Sequence, residues 1–331
     1  MNTTVLSDGA WGTALALTLL SNGHKVRQWG PFPEYICEIR KSRKNSRFLS
    51  AIELPAHLML MEDMREAVEG AELIVLAAPS QYMRKTLEQL APIYSDQILV
   101  NVSKGIENGT LWRMSELCSE IIGDAAKFAV LSGPSHAEEV ALKTPTAVVA
   151  GSKDHGIAEM VQRVFMNSFF RVYTSEDPIG IELGGALKNV FAIAAGVIDG
   201  MELGDNPKAA LITRGIAEMA RLGVALGGKA ETFSGLSGIG DMIVTCTSGH
   251  SRNRHVGEEL GRGRKIDDIQ KEMGMVVAEG VKTAKSAYEL ARKVNVETPL
   301  LNEVYNAIYE GKDSREGLRD LMSRKAKREL D

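Results

Sequence analysis

The first half of the chain alternates short β-branched, apolar runs with stretches of helical spacing, and this alternation restricts the accessible folds more than any other feature. Runs with the length and composition of buried strands are Thr4–Leu6, Lys25–Trp29, Leu73–Ala77, Ile98–Val102, Phe128–Leu131, Thr146–Val149 and Phe170–Tyr173. Helical patterns such as Met83–Ala91 and Leu111–Ile122 separate most of them. Continuously apolar strands between helices predict a Rossmann-like, doubly wound parallel sheet that is covered on both faces.

The pattern changes near Asp177-Pro178, because β-branched runs nearly disappear beyond that point. Long helical patterns replace them: Ile179–Asp199, Pro207–Leu226, Glu279–Val294 and Pro299–Tyr309. A chain of 331 residues is long enough for two domains of ordinary size. We therefore expect an α/β domain over residues 1–178 and an all-α domain over residues 179–331, with a ligand-binding cleft between them.

Composition excludes several classes of function. The net charge of −4 gives no reason to expect bulk binding to nucleic acid or to an anionic membrane. Cys37, Cys118 and Cys246 are scattered and odd in number, which predicts neither disulfides nor a zinc site and favours a reducing cytoplasm. The apolar run Leu15–Leu20 is short and lacks a basic leader, so we expect neither a signal peptide nor a membrane span.

The stretch VLSDGAWGTALA, from Val5 to Ala16, has the form of a dinucleotide-binding loop between a strand and a helix. A glycine at position 9 lets a pyrophosphate approach the backbone, and one at position 12 lets the helix pack close to the strand. The helix N-terminus then offers free N–H groups and a positive dipole end. The sequence predicts that the cofactor contacts Gly9, Ala10, Trp11 and Gly12, although a turn without a ligand remains an alternative.

Ser7 and Asp8 depart from the usual form of such a loop, which opens with a glycine. If position 7 needs a positive φ, serine costs about 1–2 kcal/mol there. A carboxylate about 8 Å from a pyrophosphate is repelled by roughly 2 kcal/mol at an effective dielectric constant near 20, unless it points into water. We expect a loop that is weakened but still binds the cofactor.

The second strand does not end in the acidic residue that holds the ribose hydroxyls of NAD, about 20 residues after the glycines. The first acid is Glu34, whereas Arg27 and the basic run Arg40–Lys44 lie nearby. NADP is therefore allowed and is favoured over NAD by this stretch. The alternative is that these cations form a solvated helix face.

Further motifs, in order, are SKGIENG (Ser103–Gly109), LSGPSHAEEV (Leu131–Val140), IELGGALKNVFAIAAGVIDG (Ile181–Gly200), GIGDMIVTCTSGHSRNRHVG (Gly238–Gly257) and VVAEGVKT (Val276–Thr283). Together with WGTALA they closely resemble the bacterial-type NAD(P)-dependent glycerol-3-phosphate dehydrogenases. The resemblance covers almost the whole chain. It implies interconversion of dihydroxyacetone phosphate and sn-glycerol 3-phosphate by hydride transfer, a supply of glycerol 3-phosphate for phospholipid synthesis, and a homodimer.

The residues suit that chemistry, since a ketone oxygen that gains charge needs a proton donor. Lys188 lies among small and apolar residues, where desolvation lowers a lysine pKa, and the resemblance makes it the catalytic acid/base. Lys104 follows a strand, and the resemblance places it against both substrate and cofactor, where its charge polarises the carbonyl. Asp241 is an acceptor for substrate hydroxyls or for Lys188. A lysine that snorkels to a helix surface is the alternative for Lys188.

The resemblance assigns the remaining contacts. Ser251, Arg252 and Asn253 would bind the substrate phosphate, with Arg252 also touching the cofactor, unless this tract is simply an exposed loop. Gly133 and Ser135 form a turn that would bind substrate. The remaining cofactor contacts are Ala137, Val277 and Glu279, of which Glu279 also suits a first helical turn. No metal is expected, because the lysines supply positive charge and the histidines lack ligand spacing.

Two other functions stay open at this point. A related two-domain dehydrogenase could act on another small acid or phosphate, because the fold alone does not fix the substrate. The Ser251-Arg252-Asn253 tripeptide argues against it. A catalytically weak, nucleotide-binding relic with a degenerate glycine loop is the other alternative. Lys104, Lys188 and Asp241 argue against it, because a relic has no need of paired lysines.

Overall fold

The computed structural model describes residues 1–274 and 277–329, so Val276, the first residue of the VVAEGVKT motif, lies outside the described part. Eight of the strands form one sheet and β3 and β4 form a separate hairpin. The strands are β1 (Asn2–Leu6), β2 (Lys25–Trp29), β3 (Lys44–Asn45), β4 (Leu49–Glu53), β5 (Met59–Met61), β6 (Leu73–Leu76), β7 (Ile98–Asn101), β8 (Phe128–Ser132), β9 (Thr146–Gly151) and β10 (Phe170–Ser175).

The strand order in the large sheet is β10-β9-β8-β7-β6-β1-β2-β5. The strands from β8 to β5 are parallel, but β9 runs antiparallel to β8 and β10 runs parallel to β9. The predicted doubly wound sheet is therefore confirmed as predominantly parallel, and β9 and β10 run opposite to the other six strands. A parallel return needs a crossover of about a dozen residues or more, usually with a helix that traverses the sheet. The link from β8 to β9 contains only the short helix Ala137–Ala141, so the chain returns beside β8 in the opposite direction.

Helices cover both faces of this sheet, as the apolar strands predicted. They are α1 (Ala10–Ser21), α2 (Pro33–Ser42), α3 (Met64–Val68), α4 (Met83–Leu90), α5 (Met114–Ile122), α6 (Ala137–Ala141) and α7 (His155–Phe165). Successive strand residues enter different apolar clusters: Val5 and Val75 pack with α1 and α7, whereas Leu6 and Leu76 pack with α4 and α5. This alternation is the period of two that a strand imposes on its side chains.

The second half of the chain is helical, and its other helices pack around one long central helix, α8 (Pro178–Gly200). Its helices are α8 (Pro178–Gly200), α9 (Asp205–Ala225), α10 (Ala230–Phe233), α11 (Asp241–Thr247), α12 (Arg252–Gly261), α13 (Ile266–Met273), α14 (Glu279–Lys293), α15 (Pro299–Tyr309) and α16 (Ser314–Met322). Within the described residues, α8 alone is long and apolar enough to cross a membrane. However, 94% of its most apolar window is buried, which is the environment of a core helix. Helix α8 also packs against β8 and β9, so it carries its side chains to the sheet.

Candidate active site

The site lies at the carboxyl ends of the central strands. Strand β1 pairs with β2 on one side and with β6 on the other, so the chain leaves β1 in one direction and later returns in the opposite direction. Such a switch point opens a crevice above the sheet, where doubly wound proteins bind ligands. The loops after β1, β6, β7 and β8 all end at this edge.

Three charged residues from distant parts of the sequence meet in the crevice. The Nζ of Lys104 donates to Asp241 Oδ2 at 2.6 Å, and the Nζ of Lys188 donates to Asp241 Oδ1 at 2.9 Å. Asp241 is 1% exposed and Lys188 is 6% exposed. We call these residues the lysine pair and its aspartate; the group carries a net positive charge at a nearly dry location.

Burial decides the electrostatics of this group. It lowers the pKa of Lys188 to about 8, with the like charge of Lys104 acting in the same direction and Asp241 opposing both. Burial also acts to raise the pKa of Asp241, but Lys104 and Lys188 outweigh it and hold that pKa below its usual value. Asp241 therefore stays ionised, while Lys188 can lose or regain a proton near neutral pH.

Neighbouring groups fix the lysine pair in place. The Lys188 ammonium also donates to Thr245 Oγ1 at 2.7 Å, and that hydroxyl donates to the backbone carbonyl of Asp241 at 2.6 Å. A Cβ on Gly185 would lie 2.9 Å from Ser132 Oγ and 3.4 Å from Lys104 Cγ, so glycine lets the helix approach the lysine. Thr245 was not predicted as a site residue, although its spacing of four residues from Asp241 places both on one helix face.

The turn after β8 adds further polar groups. The carbonyl of Gly133 accepts hydrogen bonds from Lys104 Nζ at 3.0 Å and from Ser135 Oγ at 2.9 Å, so both predicted residues lie beside the lysine pair. His136 Nε2 is buried without a hydrogen-bond partner among the described residues. Burial, with the charge of Lys188, lowers the pKa of His136 and keeps its imidazole neutral. This histidine was not predicted as a site residue, and its only sequence signal is its place next to the turn.

The three residues predicted to bind the phosphate, Ser251, Arg252 and Asn253, differ in their burial. Ser251 caps α12 by accepting a hydrogen bond from the Arg254 N–H at 3.2 Å. The side chain of Asn253 is buried, where it donates to Asn189 Oδ1 at 2.9 Å and accepts from the Gly280 N–H at 2.8 Å. Arg252, by contrast, is exposed in the first turn of α12. Among the three, Arg252 has the side chain most accessible to a ligand.

Glu279 and Val277 lie at the opposite wall of the crevice. They line a cavity of about 180 Å³ together with Pro79 and Ser80, which follow β6. The Glu279 carboxylate accepts a hydrogen bond from the Ser80 N–H at 3.0 Å. Burial raises the pKa of Glu279, and that hydrogen bond and the charges of Arg252, Lys188 and Lys104 oppose the shift. Glu279 is thus the acid in the first turn of α14, which was the alternative role expected for it. It also interacts electrostatically with Arg252, Lys188 and Lys104.

The glycine loop brings α1 close to the end of β1. A Cβ on Gly12 would lie 3.0 Å from the carbonyl oxygen of Ser7, so only glycine lets α1 start this close to β1. Ala10 and Trp11 pack in the same apolar cluster as Ala137. The indole Nε1 of Trp11 and one carboxylate oxygen of Asp8 are buried without hydrogen-bond partners in the described part of the chain. Unpartnered polar atoms beside a glycine turn fit a polar ligand such as a nicotinamide dinucleotide.

Ser7 does not carry the expected strain. It is absent from the described non-glycine residues that have a positive φ, so serine meets no left-handed penalty there. Instead, Ser7 Oγ accepts a hydrogen bond from the Gly9 N–H at 3.0 Å and closes a local turn. The side chain therefore supports the loop that it was expected to weaken.

A dinucleotide-type sheet joined to a helical half, with the lysine pair and its aspartate in the crevice, defines a nicotinamide-dependent dehydrogenase. Comparison with known families agrees and is more specific. The models for the N-terminal and C-terminal parts of NAD-dependent glycerol-3-phosphate dehydrogenase match residues 2–158 and 177–319. The chain belongs to this family.

Individual relatives match over their whole length. The chain is 50% identical to an NAD(P)+ glycerol-3-phosphate dehydrogenase of Geobacillus kaustophilus, covering 100% of this chain and 96% of the relative. It is also 50% identical to that of Geobacter sulfurreducens, covering 98% of each. The crystal structure of glycerol-3-phosphate dehydrogenase from Coxiella burnetii superposes with a TM-score of 0.94 at 36% identity, covering 98% of this chain and 99% of that one.

Proposed function

We propose that this protein interconverts dihydroxyacetone phosphate and sn-glycerol 3-phosphate with NAD(P)H, and so supplies glycerol 3-phosphate for phospholipid synthesis. Relatives with this activity in their names match the full length of the chain at about half identity. The observation that carries the proposal is the lysine pair joined by Asp241 at 2.6 Å and 2.9 Å in the crevice. A small anion with a ketone group is the substrate that one buried and one partly buried ammonium group suit.

Lys188 is the proton donor in the proposed mechanism. The nicotinamide, when bound, supplies the hydride that forms the new C–H bond. Lys188 then gives one proton from Nζ to the keto oxygen, which becomes the hydroxyl of glycerol 3-phosphate, and the lysine is left neutral. A pKa of about 8 keeps most of Lys188 protonated at neutral pH, while leaving the proton easy to transfer. In the reverse direction the neutral amine takes the hydroxyl proton.

Lys104 and Asp241 have complementary tasks. The ammonium group of Lys104 stabilises the negative charge that develops on the keto oxygen, and it does so without reorganisation because Asp241 and Gly133 already hold it. Asp241 orients both lysines and keeps their combined charge tolerable in a buried site. Asp241 is therefore a positioning residue unless it also touches a substrate hydroxyl.

Arg252 is the main phosphate-binding residue in this proposal. Its guanidinium is exposed at the start of α12, where the free N–H groups and the positive end of the helix dipole also favour an anion. Ser251 and Asn253, which support that helix and its neighbours, stay predicted contacts. With Gly133 and Ser135 they complete the substrate-binding set.

The cofactor, NAD or NADP, is held by the glycine loop and by the wall opposite it. The loop residues Gly9, Ala10, Trp11 and Gly12 would contact the pyrophosphate and adenosine parts. The residues proposed for the nicotinamide half are Lys104, Ala137, Arg252, Val277 and Glu279. Ala137, Arg252 and Glu279 each lie in the first turn of a helix, whereas Lys104 follows β7 and Val277 precedes α14.

A single assay tests the proposed function. Purified protein is mixed with NADH or NADPH, and cofactor oxidation is followed with dihydroxyacetone phosphate and, in parallel, with unphosphorylated dihydroxyacetone. We expect rapid oxidation with the phosphorylated ketone only, and Arg252→Ala should raise the KM for that ketone more than it lowers kcat. Equal rates with both ketones would show that the phosphate is not recognised and would contradict the proposal.

Three further properties belong to the same proposal. The division into residues 1–178 and 179–331 is supported by Asp177, whose carboxylate caps the first turn of α8 by accepting from the Gly180 N–H at 2.9 Å. A homodimer is expected from the family, and sedimentation equilibrium tests it. A cytoplasmic location is supported by Cys37, Cys118 and Cys246, which are all free thiols in the structure.

A further inference from the structure

One carboxylate lies where the sequence analysis found none. The acid that binds the ribose of NAD is expected about 20 residues after the loop glycines, at the end of the second strand. Gly30 directly follows β2 at that distance and has no side chain. A Cβ on Gly30 would lie 2.7 Å from Cγ and 2.8 Å from Oδ2 of Asp8. The carboxyl group of Asp8 therefore occupies the space that an acidic side chain at position 30 would fill.

The Asp8 carboxylate is buried and, in the described part of the chain, has one oxygen with an unused hydrogen-bonding position. The residue is 5% exposed, and its Oδ2 has no hydrogen-bond partner among the described residues. Burial raises the pKa of Asp8, and Arg47 opposes that shift. A buried carboxylate oxygen without a donor is unfavourable, and a ribose diol supplies two hydroxyl donors. The backbone carbonyl of Asp8 is already satisfied by Asn45 Nδ2 at 2.7 Å, which fixes the residue in place.

The arginines that favoured NADP in the sequence are engaged elsewhere. Arg27 donates to the backbone carbonyls of Glu66 and Glu69. Arg40 donates to the carbonyl of Leu60 and pairs with Glu62, and Arg43 donates to the carbonyls of the loop before β5. These guanidinium groups hold the edge of the sheet together, so part of their donor capacity is already used.

We propose that Asp8 is a specificity-determining residue that selects NADH over NADPH. Its carboxylate accepts hydrogen bonds from the 2′- and 3′-hydroxyls of the adenosine ribose and repels a phosphate at the 2′ position. This inference rests on the proposed function, since it concerns the cofactor of the same site. It reverses the preference expected from the sequence, because the acid precedes the glycine at position 9 in the chain instead of following it by about 20 residues.

Equilibrium binding to the full-length protein tests the proposal without turnover. The probes are NADH and NADPH, together with ADP-ribose and its 2′-phosphorylated form, which lack the nicotinamide. Binding is measured by calorimetry and by the fluorescence of Trp11 and Trp29. The wild-type chain should bind each probe without the 2′-phosphate at least about tenfold more tightly than its phosphorylated counterpart.

Two variants and one control isolate the carboxylate. Asp8→Asn keeps the shape and removes the charge, and Asp8→Ala removes both. Each should reduce the preference at least about tenfold, by weakening NADH and strengthening NADPH. Glu34→Gln removes the first exposed acid after β2 and should leave the preference unchanged. Thermal unfolding of each variant confirms that it is folded before its affinities are compared.

The outcomes separate this inference from the proposed function. A wild-type preference for NADPH, an unchanged preference in both Asp8 variants, or an equal shift in Glu34→Gln would overturn the role of Asp8. In each of those cases the reduction of dihydroxyacetone phosphate would still stand. Failure of the wild-type chain to bind either dinucleotide would instead remove the proposed function, and the role of Asp8 with it.

Discussion

The lysine pair and the glycine loop lie on the same crevice but are built in opposite ways. Lys104, Lys188 and Asp241 come from three elements that are far apart in sequence, and their charged atoms are already joined to one another. The glycine loop is one contiguous stretch, and it leaves Trp11 Nε1 and one Asp8 oxygen without partners among the described residues. The charged groups on the proposed substrate side are thus paired before any ligand binds, whereas the glycine loop on the proposed cofactor side keeps a charged oxygen of Asp8 unpartnered within the described chain.

The difference has a physical reason. In a nearly dry site the two lysines must be paired with Asp241, because an isolated buried charge is costly. Apart from Asp8, the groups of the dinucleotide loop are neutral, so a ligand can satisfy its backbone N–H groups later. We therefore expect changes in the lysine pair to alter the chemical step and its pH dependence. Changes in the loop should alter cofactor affinity.

The largest effect is expected for Lys188→Ala. Without the proton donor, kcat for reduction of dihydroxyacetone phosphate should fall at least about 100-fold. NADH should still bind with nearly unchanged affinity, because the glycine loop is intact. Steady-state kinetics and calorimetric titration check the two halves of this prediction. Near-normal turnover would show that Lys188 is not the proton donor. It would also contradict the expectation that the lysine pair governs the chemical step and the glycine loop governs cofactor affinity.

Asp241→Asn should move the pH profile. Asp241 raises the pKa of Lys188, so its loss lowers that pKa from about 8 by about one unit or more. Reduction requires protonated Lys188, so kcat/KM should decline as pH rises through this pKa. In the variant the decline should begin at lower pH. Profiles of kcat/KM between pH 5.5 and 9 measure it, and an unshifted alkaline limb would show that Asp241 does not set the proton affinity of Lys188.

A matched pair of glycine substitutions compares the two regions directly. In Gly185→Ala the added Cβ would lie 2.9 Å from Ser132 Oγ and 3.4 Å from Lys104 Cγ, so Lys104 shifts and kcat should fall about tenfold. In Gly12→Ala it would lie 3.0 Å from the Ser7 carbonyl, so the helix moves away and the cofactor KM should rise about tenfold. If both variants changed the same kinetic constant, the assignment of the lysine pair to the chemical step and of the glycine loop to cofactor binding would be wrong.

The smallest effect is expected for Ser7→Gly. Ser7 is unstrained and accepts one hydrogen bond from the Gly9 N–H, so the substitution removes that bond and gains no relief of backbone strain. Cofactor affinity should change by less than about threefold, because one such bond and the added freedom of glycine are each small. Fluorescence titration with NADH measures it. A gain of tenfold or more would mean that serine does weaken the loop after all.

Much of the fold was predictable from local patterns. The predicted strands of the first half are all present within a few residues of their expected ends, and the long helices of the second half likewise. The sequence missed β3, β4 and β5, which are short and lack a strong period, and it missed small helices such as α10 and α11. The reversed direction of β9 was also missed, because strand direction depends on how the connecting segment crosses the sheet and not on the strand itself.

Some residues of the candidate site were likewise predictable from the sequence, and others were not. Lys104, Lys188 and Asp241 were named from their motifs and the family resemblance, and the structure brings their charged atoms together. Thr245 and His136 were not identified as site residues, since a threonine or a histidine without ligand spacing has no distinguishing pattern. The side chains of Ser251 and Asn253 support the scaffold in this structure, and their direct contact with substrate stays a prediction.

The sequence by itself determined the order of strands and helices, the position of the glycine loop and the residue types available for proton transfer, because these depend on neighbours along the chain. Only the tertiary structure decided that two ammonium groups share one aspartate, and that the carboxyl group of Asp8 fills the space beside Gly30. Those arrangements depend on packing between distant segments, where burial sets the strength of each charge. A search for an acid at a fixed sequence spacing therefore missed a carboxylate that reaches the same place from the other end of the loop.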